Sequence, residues 1–471
     1  MTFNSLQYAA FLPLVLIAYW MLGRRAQNLL LLAASYVFYG AFDWRFLGLL
    51  VLSTLTDFVV GRMLEGTDDD GRRRRIFLVS LAVNLGILGF FKYFDFFVTD
   101  GTRLLGQLGI EVSPPVLRIL LPVGISFYTF HGISYAFDVY RRKIEPTRSL
   151  LDFAVFVAFF PQLVAGPIGR AHLQLPQFGR QRTRPDWPEA RRAAVLILLG
   201  LFKKVAIADM LAPYVNEAFS SPETTSALGL LVGVWAFAFQ IYGDFSGYSD
   251  IARGSSSLLG ISLPENFNQP YLSRSVTEFW RRWHISLSNW LRDYLYIPLG
   301  GNRGRGLLTY RNLLLTMLIG GLWHGAALTF VVWGGLHGLY LAGERRFSRV
   351  ADEDAVRRWS LRKDLVRTFV TFQLVCLAWV FFRAESVGGA LGYLGRIARL
   401  QGGATDRSAV GLLVLSAAAV LLIDAAQHQA GDHAPMLRWS PAARGAAYGL
   451  MIIPIVVFSG GSPVPFIYFN F

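Results

Sequence analysis

Long apolar runs recur along almost the whole chain. They lie near residues 6–22, 27–42, 45–62, 76–97, 117–137, 193–213, 227–250, 366–383, 408–425 and 445–462. A helix needs about 20 apolar residues to cross the hydrocarbon core of a bilayer, because it rises only about 1.5 Å per residue. Only 16% of the residues are charged, whereas about a quarter are charged in average soluble domains. The sequence therefore predicts an all-α polytopic membrane protein, and the runs correspond to about ten transmembrane helices.

The distribution of positive charge predicts how these helices are oriented. Basic loops at 24–25, 72–75 and 141–143 alternate with loops poor in Lys and Arg at 43–44, 98–115 and 216–226. Because cytoplasmic loops carry an excess of Lys and Arg, the N-terminus is predicted to lie outside. An even number of crossings also puts the C-terminus outside. Arg396, Arg399 and Arg407 depart from the alternation and predict an interfacial helix in that region.

The net charge of +14 does not indicate a nucleic-acid partner. Lys and Arg lie mainly in the loops, and no basic stripe interleaves with aromatic residues, which is the pattern of nucleic-acid binding. The single cysteine, Cys376, lies in an apolar helix, so a disulfide within the chain is excluded. Without polar neighbours, it predicts core packing rather than a nucleophile or a metal ligand. We therefore expect no bound cofactor and no metal.

Two apolar segments do not have the pattern of full crossings. The segment 151–168 contains Pro161 and the pair 166–167, Gly-Pro, which predicts a broken, re-entrant piece. The segment 312–343 has charged residues at both ends and predicts a hairpin. Its two legs of about 24 Å are short for two crossings, so the apex is expected within the membrane.

His324 lies inside this hairpin segment, which carries no Lys, Arg, Asp or Glu. An imidazole at membrane depth usually faces a cavity or a reaction path, and its near-neutral pKa suits a general base. The alternative is a histidine that only bonds a neighbouring helix. On one continuous helix His337 would lie about 20 Å away, so only an intervening turn could bring it to His324.

The longest polar interior stretch precedes this hairpin. Ser275 and Glu278 have the spacing of a capping box, and one amphipathic interfacial helix is predicted over 279–296. Its apolar face carries Trp280, His284, Leu287 and Leu291. Arg281 and Arg282 are candidates to bind the phosphates of a donor, although ordinary interfacial anchoring would explain them as well.

Two carboxylates, Asp244 and Asp250, lie near the inner end of an apolar helix. An intramembrane carboxylate is a candidate for function, because burying it without one is costly. A structural hydrogen bond or salt bridge explains them equally well.

Several motifs together resemble those of one known family. Residues 282–288 read RWHISLS, and residues 322–325 read LWHG. Residues 160–168 read FPQLVAGPI, 242–250 read YGDFSGYSD, 380–384 read VFFRA, and 466–471 read FIYFNF. Taken in chain order, they resemble the signatures of the membrane-bound O-acyltransferase family and span nearly the whole chain. The most similar branch contains the membrane subunit of alginate O-acetylation and relatives that act on other exopolysaccharides.

The resemblance implies transfer of an acyl group, most simply acetyl, from a cytoplasmic thioester to a hydroxyl at or across a bacterial inner membrane. It implies that His324 is catalytic and that His284 assists from the cytoplasmic end of a central tunnel. Trp323 is expected to form part of the cavity wall and to contact the donor, although packing alone would explain it equally well. The donor would be acetyl-CoA or an acyl carrier, and the acceptor an extracytoplasmic polysaccharide reached directly or through a periplasmic acetyltransferase partner. The expected domain organisation is one domain over residues 1–471.

Two rival classes remain at this stage. A polytopic transporter would also combine broken helices with buried polar groups, but the inverted repeats typical of transporters are not evident. A scaffold subunit whose chemistry resides in a partner is the second rival. The absence of a Gly-x-Ser-x-Gly motif favours direct transfer over an acyl-enzyme intermediate.

Overall fold

The computed structural model describes residues 1–98, 120–164, 166–303, 306–347, 361–459 and 464–469. Within these ranges the regular secondary structure is helical, apart from one isolated parallel bridge between Thr225 and Ala404. The chain packs as two compact units, residues 1–190 with 255–264 and residues 191–254 with 265–471. The expectation of one domain over residues 1–471 stays a prediction.

The α-helices follow one another with short connections. In chain order they are α1 (Leu6–Trp20), α2 (Arg24–Asp43), α3 (Leu47–Glu65), α4 (Asp70–Leu88), α5 (Ile125–Tyr140), α6 (Leu150–Ala158), α7 (Phe160–Leu163), α8 (Ala171–Gly179), α9 (Trp187–Leu201), α10 (Asp209–Ser220), α11 (Ala227–Leu258), α12 (Val276–Arg282), α13 (Ile285–Leu291), α14 (Gly306–His324), α15 (Leu328–Phe347), α16 (Leu361–Arg383), α17 (Val387–Ala398), α18 (Arg407–Ala430) and α19 (Pro441–Phe458). Short 3₁₀ turns occur at Trp44–Phe46, Pro270–Leu272, Pro435–Arg438 and Ile467–Phe469, and π turns occur at Gly89–Tyr93, Phe202–Ala208 and Arg292–Tyr296.

Six helical stretches in the described part of the chain are long and apolar enough to cross a membrane. They are Arg24–Glu65, Asp70–Val98, Ala227–Leu258, Asp364–Arg383, Arg407–Ala430 and Pro441–Phe458. The first holds two helices, because the backbone of Asp43, with φ −162° and ψ 110°, is extended. The predicted all-α polytopic membrane protein is therefore confirmed. The number of about ten crossings and their orientation stay predictions, and the loop predicted at 98–115 lies almost wholly outside the described residues.

The surface of α19 shows why such helices belong in lipid. Among its residues only Met451 is buried, and Leu450 and Val456 are 73% and 67% exposed. An α-helix satisfies its backbone hydrogen bonds internally, so an apolar surface of this kind is stable in hydrocarbon.

The segment predicted to be broken near Pro161 is indeed broken. Helix α6 ends at Ala158, the ψ of 110° at Phe159 is not helical, and α7 begins at Phe160 with Pro161 in its first turn. The N–H of Phe160 donates to the Ser35 hydroxyl over 3.0 Å. This bond satisfies a backbone group that the break would otherwise leave without a partner. That the segment is re-entrant stays a prediction, and Ala165 of this motif lies outside the described residues.

The hairpin predicted around His324 is present, with its turn at residues 325–327. Helices α14 and α15 can pack closely because Gly321 has no Cβ atom. A Cβ atom at this position would collide with the carbonyl of Phe330. The helices have 19 and 20 residues, which gives legs of about 28 Å and 30 Å. The predicted legs of about 24 Å were too short, because both helices continue through charged residues such as Arg311 and Glu344. The depth of the apex in the membrane stays a prediction.

The single amphipathic helix predicted over 279–296 is wrong. The structure has two short helices, α12 and α13, separated at Trp283 and His284. The N–H of Asn268 donates to the carbonyl of Arg282, and the N–H of Ile285 donates to the carbonyl of Asn266. The loop 266–268 thus binds backbone groups that a continuous helix would pair internally. The predicted cap at Ser275 is confirmed, since its hydroxyl accepts the N–H of Glu278 over 3.0 Å.

Helix α17 occupies the region in which Arg396 and Arg399 predicted an interfacial helix. Tyr393 is buried and donates to the carbonyl of Leu230, whereas Leu391 is exposed. The helix therefore buries one side against the protein and exposes the other, and its position at a membrane interface stays a prediction.

Candidate active site

His284 lies at the break between α12 and α13, in the unit that contains residues 265–471. Its backbone has φ 42° and ψ 52°, in the left-handed region that favours glycine. Such a conformation costs a non-glycine residue about 1–3 kcal/mol, and residues of this kind cluster at functional sites. The side chain is nevertheless completely buried. The surrounding structure therefore holds His284 in place despite its strained backbone.

The amide of Asn266 determines which nitrogen of His284 carries a hydrogen. Asn266 Oδ1 lies 3.3 Å from the backbone nitrogen of Ser286, which can only donate. This atom is therefore the oxygen, and His284 Nδ1, which lies 3.0 Å from it, must donate as well. The other ring nitrogen, Nε2, then bears a lone pair, and it has no hydrogen-bond partner among the described residues. His284 thus presents an unoccupied basic nitrogen.

The environment keeps this imidazole neutral. His284 lies outside the candidate spans, and burial lowers its pKa to about 3. The aromatic ring of Phe245 packs edge-on against it, with 4.6 Å between ring centroids. The neutral ring is the form that can accept a proton.

His324 is the last residue of α14 and is also buried, with 3% of its surface exposed. Four aromatic rings, which we call the aromatic cage, have centroids within 5.5 Å of its own. They are Trp323 at 4.9 Å, Trp333 at 5.0 Å, Phe382 at 5.3 Å and Tyr468 at 5.5 Å. The ring centroids of His324 and His284 are 6.3 Å apart. The structure therefore brings together two histidines that are 40 positions apart in the sequence.

His337 lies on the other side of one cage ring. The turn at 325–327 folds α15 back on α14, so Trp333 is 5.0 Å from His324 and 4.9 Å from His337. The indole N–H of Trp280 donates to His337 Nδ1 over 3.2 Å. In the neutral ring Nε2 then carries the hydrogen. His337 is therefore near the site, but this tautomer has no free basic nitrogen.

The three residues predicted to contact the donor differ in their surroundings. Trp323 is buried, and its ring centroid lies 5.8 Å from that of His284 and 4.9 Å from that of His324. Arg282 is mostly buried and forms an ion pair with Glu278 over 2.8 Å, which is a structural role. Arg281 is exposed and makes no hydrogen bond or ion pair with any residue that the structure describes. A role in donor binding for any of the three stays a prediction.

The two carboxylates of α11, Asp244 and Asp250, are paired with adjacent lysines. Lys203 Nζ lies 2.8 Å from Asp250, and Lys204 Nζ lies 2.9 Å from Asp244. Lys204 also lies 2.7 Å from Asp209, and all of these side chains are largely buried. Both lysines belong to the π turn Phe202–Ala208. Of the two interpretations left open by the sequence, the structure shows salt bridges.

The segment 464–468, which we call the C-terminal segment, contacts His324 and the ring of Phe245, which in turn packs on His284. Its Tyr468 ring belongs to the aromatic cage and lies 4.6 Å from Phe245. Phe466 is buried and packs on Tyr248 with 4.3 Å between centroids. Residues 470 and 471 of the FIYFNF motif lie outside the described residues.

A cavity of about 400 Å³ adjoins the cage. Phe382 belongs both to the wall of this cavity and to the cage. The cavity is also lined by Ile467, which precedes Tyr468 in the sequence, and by Ala327, which lies three residues after His324. Its polar lining includes Lys204, Asp244, Gln240, Thr329 and Arg383. Neither histidine is among the lining residues, so the two rings are enclosed by aromatic side chains in this conformation.

Several residues of the site were not singled out by sequence reasoning. Asn266 gave no signal, because its role depends on a backbone N–H of a different helix. Lys203 and Lys204 could have been found as two charges inside an apolar run. Trp333, Phe382 and Tyr468 gave no distinct signal, because aromatic residues are frequent throughout the chain.

Known proteins provide an independent comparison. Residues 140–384 match the family model described as MBOAT, membrane-bound O-acyltransferase family. The chain is 46% identical to the probable alginate O-acetylase AlgI of Azotobacter vinelandii, over 80% of this chain and 74% of that protein. It is 37% identical to the peptidoglycan O-acetyltransferase of Helicobacter pylori, over 83% of this chain and 79% of that protein. It is 26% identical to the teichoic acid D-alanyltransferase of Bacillus subtilis, over 58% and 71% of the two proteins.

These matches settle the class that the resemblance suggested. The matched family region contains His284, His324 and Asp244. The match identifies an enzyme and decides against the transporter and scaffold alternatives. The chain belongs to the membrane-bound O-acyltransferase family and is an O-acyltransferase.

Proposed function

We propose that this enzyme moves an acetyl group from a cytoplasmic thioester donor to hydroxyl groups of an extracytoplasmic polysaccharide. The observation that carries the proposal is the pair of buried imidazoles, whose ring centroids are 6.3 Å apart. His324 acts as the general base, and His284 assists it. Two relatives named for O-acetylation of alginate and of peptidoglycan support the acetyl group and the polysaccharide acceptor.

The reaction requires a proton to move as the new bond forms. The acceptor oxygen attacks the acyl carbon, its proton passes to His324, the C–S bond breaks, and the thiolate leaves and takes up a proton. General-base catalysis of this kind contributes about 10²–10⁴-fold to the rate. The lone pair on His284 Nε2 gives the site a second hydrogen-bond acceptor.

The aromatic cage also suits this chemistry, because hydrolysis competes with transfer. A thioester that meets water near a base loses its acyl group to water instead of to the acceptor. Trp323, Trp333, Phe382 and Tyr468 surround His324, and apolar rings around a reacting centre exclude water. We propose that the acceptor hydroxyl reaches this centre through the adjoining cavity.

The membrane arrangement is part of the proposal. About ten helices cross the inner membrane, both termini are periplasmic, and the interfacial and re-entrant segments surround a central tunnel. Exposed Arg281 and the helices α12 and α13 face the cytoplasmic donor, acetyl-CoA or an acyl carrier. A periplasmic acetyltransferase partner completes delivery to the polymer. The basic loops at 24–25, 72–75 and 141–143 support this orientation.

The test is acetyl transfer by the purified enzyme in sealed vesicles. We expect His324→Ala to abolish transfer and His284→Ala to lower it less completely, while His428→Ala, at a half-exposed residue of α18, stays near the unsubstituted rate. Labelled acetyl-CoA supplied on the cytoplasmic side alone should support transfer. Activity of His324→Ala within about tenfold of the unsubstituted enzyme would contradict the role of the base, since a base contributes more than this.

A further inference from the structure

Buried charge in α11 is used to hold the C-terminal segment. Lys204 Nζ donates to the carbonyl of Val464 over 3.1 Å, and Asp244 Oδ2 accepts the N–H of Ile467 over 2.6 Å. The side chains of Lys204 and Asp244 are only 1% and 3% exposed. A buried ion pair thus bonds both a carbonyl and an amide of one short backbone stretch. We call Lys204, Asp209 and Asp244 the Lys204 cluster.

Packing of the π turn on α11 does not by itself require these contacts. The neighbouring pair, Lys203 and Asp250, joins the same two elements over 2.8 Å and is also buried. The hydrogen bonds described for Lys203 and Asp250 link them to each other and not to the C-terminal segment. Taking charges out of water costs several kcal/mol per ion unless further hydrogen bonds complete their shells. In the Lys204 cluster, the backbone of the C-terminal segment provides those bonds.

The segment that the cluster holds forms one wall of the catalytic centre. Tyr468 is one residue after Ile467, and its ring lies 5.5 Å from His324. Phe466 is one residue before Ile467 and packs on Tyr248. Phe245, next to Asp244 on α11, contacts both Tyr468 and His284. Movement of Ile467 away from Asp244 would therefore displace the ring that encloses His324.

We propose that Lys204 and Asp244 are positioning residues, which act on catalysis by fixing the C-terminal segment against His324. The inference rests on the proposed function of His324. Without this attachment, water reaches the base and adds to the acyl carbon, the thiol leaves, and the products are acetate and free thiol. Loss of the attachment therefore diverts the thioester from transfer to hydrolysis, while donor binding is unchanged.

The test compares Asp244→Ala with the matched control Asp250→Ala. A nitroxide is attached to Pro465→Cys in a Cys376→Ser background, which removes the native thiol, and position 465 is exposed. We expect Asp244→Ala to increase the mobility of the nitroxide, to lower kcat for transfer at least tenfold, and to raise the ratio of hydrolysis to transfer. The KM for acetyl-CoA should stay within twofold. Asp250→Ala should change neither the nitroxide spectrum nor this ratio.

A second variant leaves the ion pairs intact. Ile467→Pro removes the N–H that Asp244 accepts and changes no charged residue, and proline is tolerated at the first position of a helical turn. It should reproduce the mobile nitroxide and the increased hydrolysis of Asp244→Ala. An immobile nitroxide in both Asp244→Ala and Ile467→Pro, or equal mobility in Asp250→Ala, would overturn the proposal. The spectrum is independent of activity, so loss of transfer in the unsubstituted enzyme would refute the proposed function alone.

Discussion

His284 and His337 are both completely buried near His324, yet they carry the ring hydrogen on different nitrogens. Asn266 accepts the Nδ1 hydrogen of His284 and leaves Nε2 as a base. Trp280 donates to Nδ1 of His337 and leaves a hydrogen on Nε2. The partner on Nδ1, and not burial or proximity, therefore decides which imidazole can accept a proton. This comparison can be tested from its largest expected effect to its smallest.

The largest effect is expected from removing the amide that orients His284. Asn266→Leu abolishes the acceptor for Nδ1–H, so the ring is no longer held in the tautomer that leaves a lone pair on Nε2. We expect kcat to fall about 100-fold, the lower end of general acid–base contributions. Asn266→Asp still offers an oxygen to Nδ1 and should retain about ten times more activity than Asn266→Leu, as measured by acetyl transfer. Equal loss in both variants would mean that Asn266 serves packing alone.

The backbone provides a second contrast, in stability. At the left-handed position of His284, alanine is strained relative to glycine by about 1–2 kcal/mol. His337 lies within α15, where glycine is less stable than alanine by about 1 kcal/mol. We expect His284→Gly to unfold at a higher temperature than His284→Ala, and His337→Gly at a lower temperature than His337→Ala. Thermal unfolding in detergent measures both differences, and the same sign at the two positions would contradict the assigned backbone of His284.

A smaller effect on the rate is expected at His337. His337→Gln keeps a polar side chain near the Trp280 N–H, and the imidazole that it removes has no free basic nitrogen. We expect kcat to stay within about threefold of the unsubstituted enzyme, far from the 10²-fold loss expected of a base. The same transfer assay measures it, with His284→Gln as the matched comparison. A loss at His337 as large as that at His284 would show that its tautomer changes during the reaction.

The smallest effect concerns pH. The pKa of His284 is about 3 because its ring is buried, so this group stays neutral as the pH rises from 5 to 8. Protonation of His284 would inhibit only as the pH falls toward 3. We therefore expect His284→Gln to lower kcat/KM without moving the acid limb of its pH profile. A shifted limb would mean that His284 titrates in the working range.

The sequence was informative where a motif carries its own chemistry. The hairpin could be predicted from a charge-free apolar run with charged residues at both ends, and the break near Pro161 from two breakers, whereas the catalytic role of His324 stays a prediction. The continuous helix over 279–296 was wrong, because helical periodicity continues through His284 although the backbone leaves the helix there. The role of Asn266 could not be predicted, because it depends on the backbone of a helix 20 residues further on.

In the π turn Phe202–Ala208, the number of residues matters as much for the lysine–aspartate ion pairs as the residue types do. A π turn contains one residue more than a regular turn, and in this structure two consecutive lysines within it reach Asp244 and Asp250 on the same neighbouring helix. Deleting one residue, such as Val205, would restore regular spacing and rotate all later residues by about 100°. Asp209 would turn away from Lys204 even though every charged residue was retained. A sequence alignment that shifts this turn by one position would therefore keep the same residue types but lose the pairing of each lysine with its aspartate.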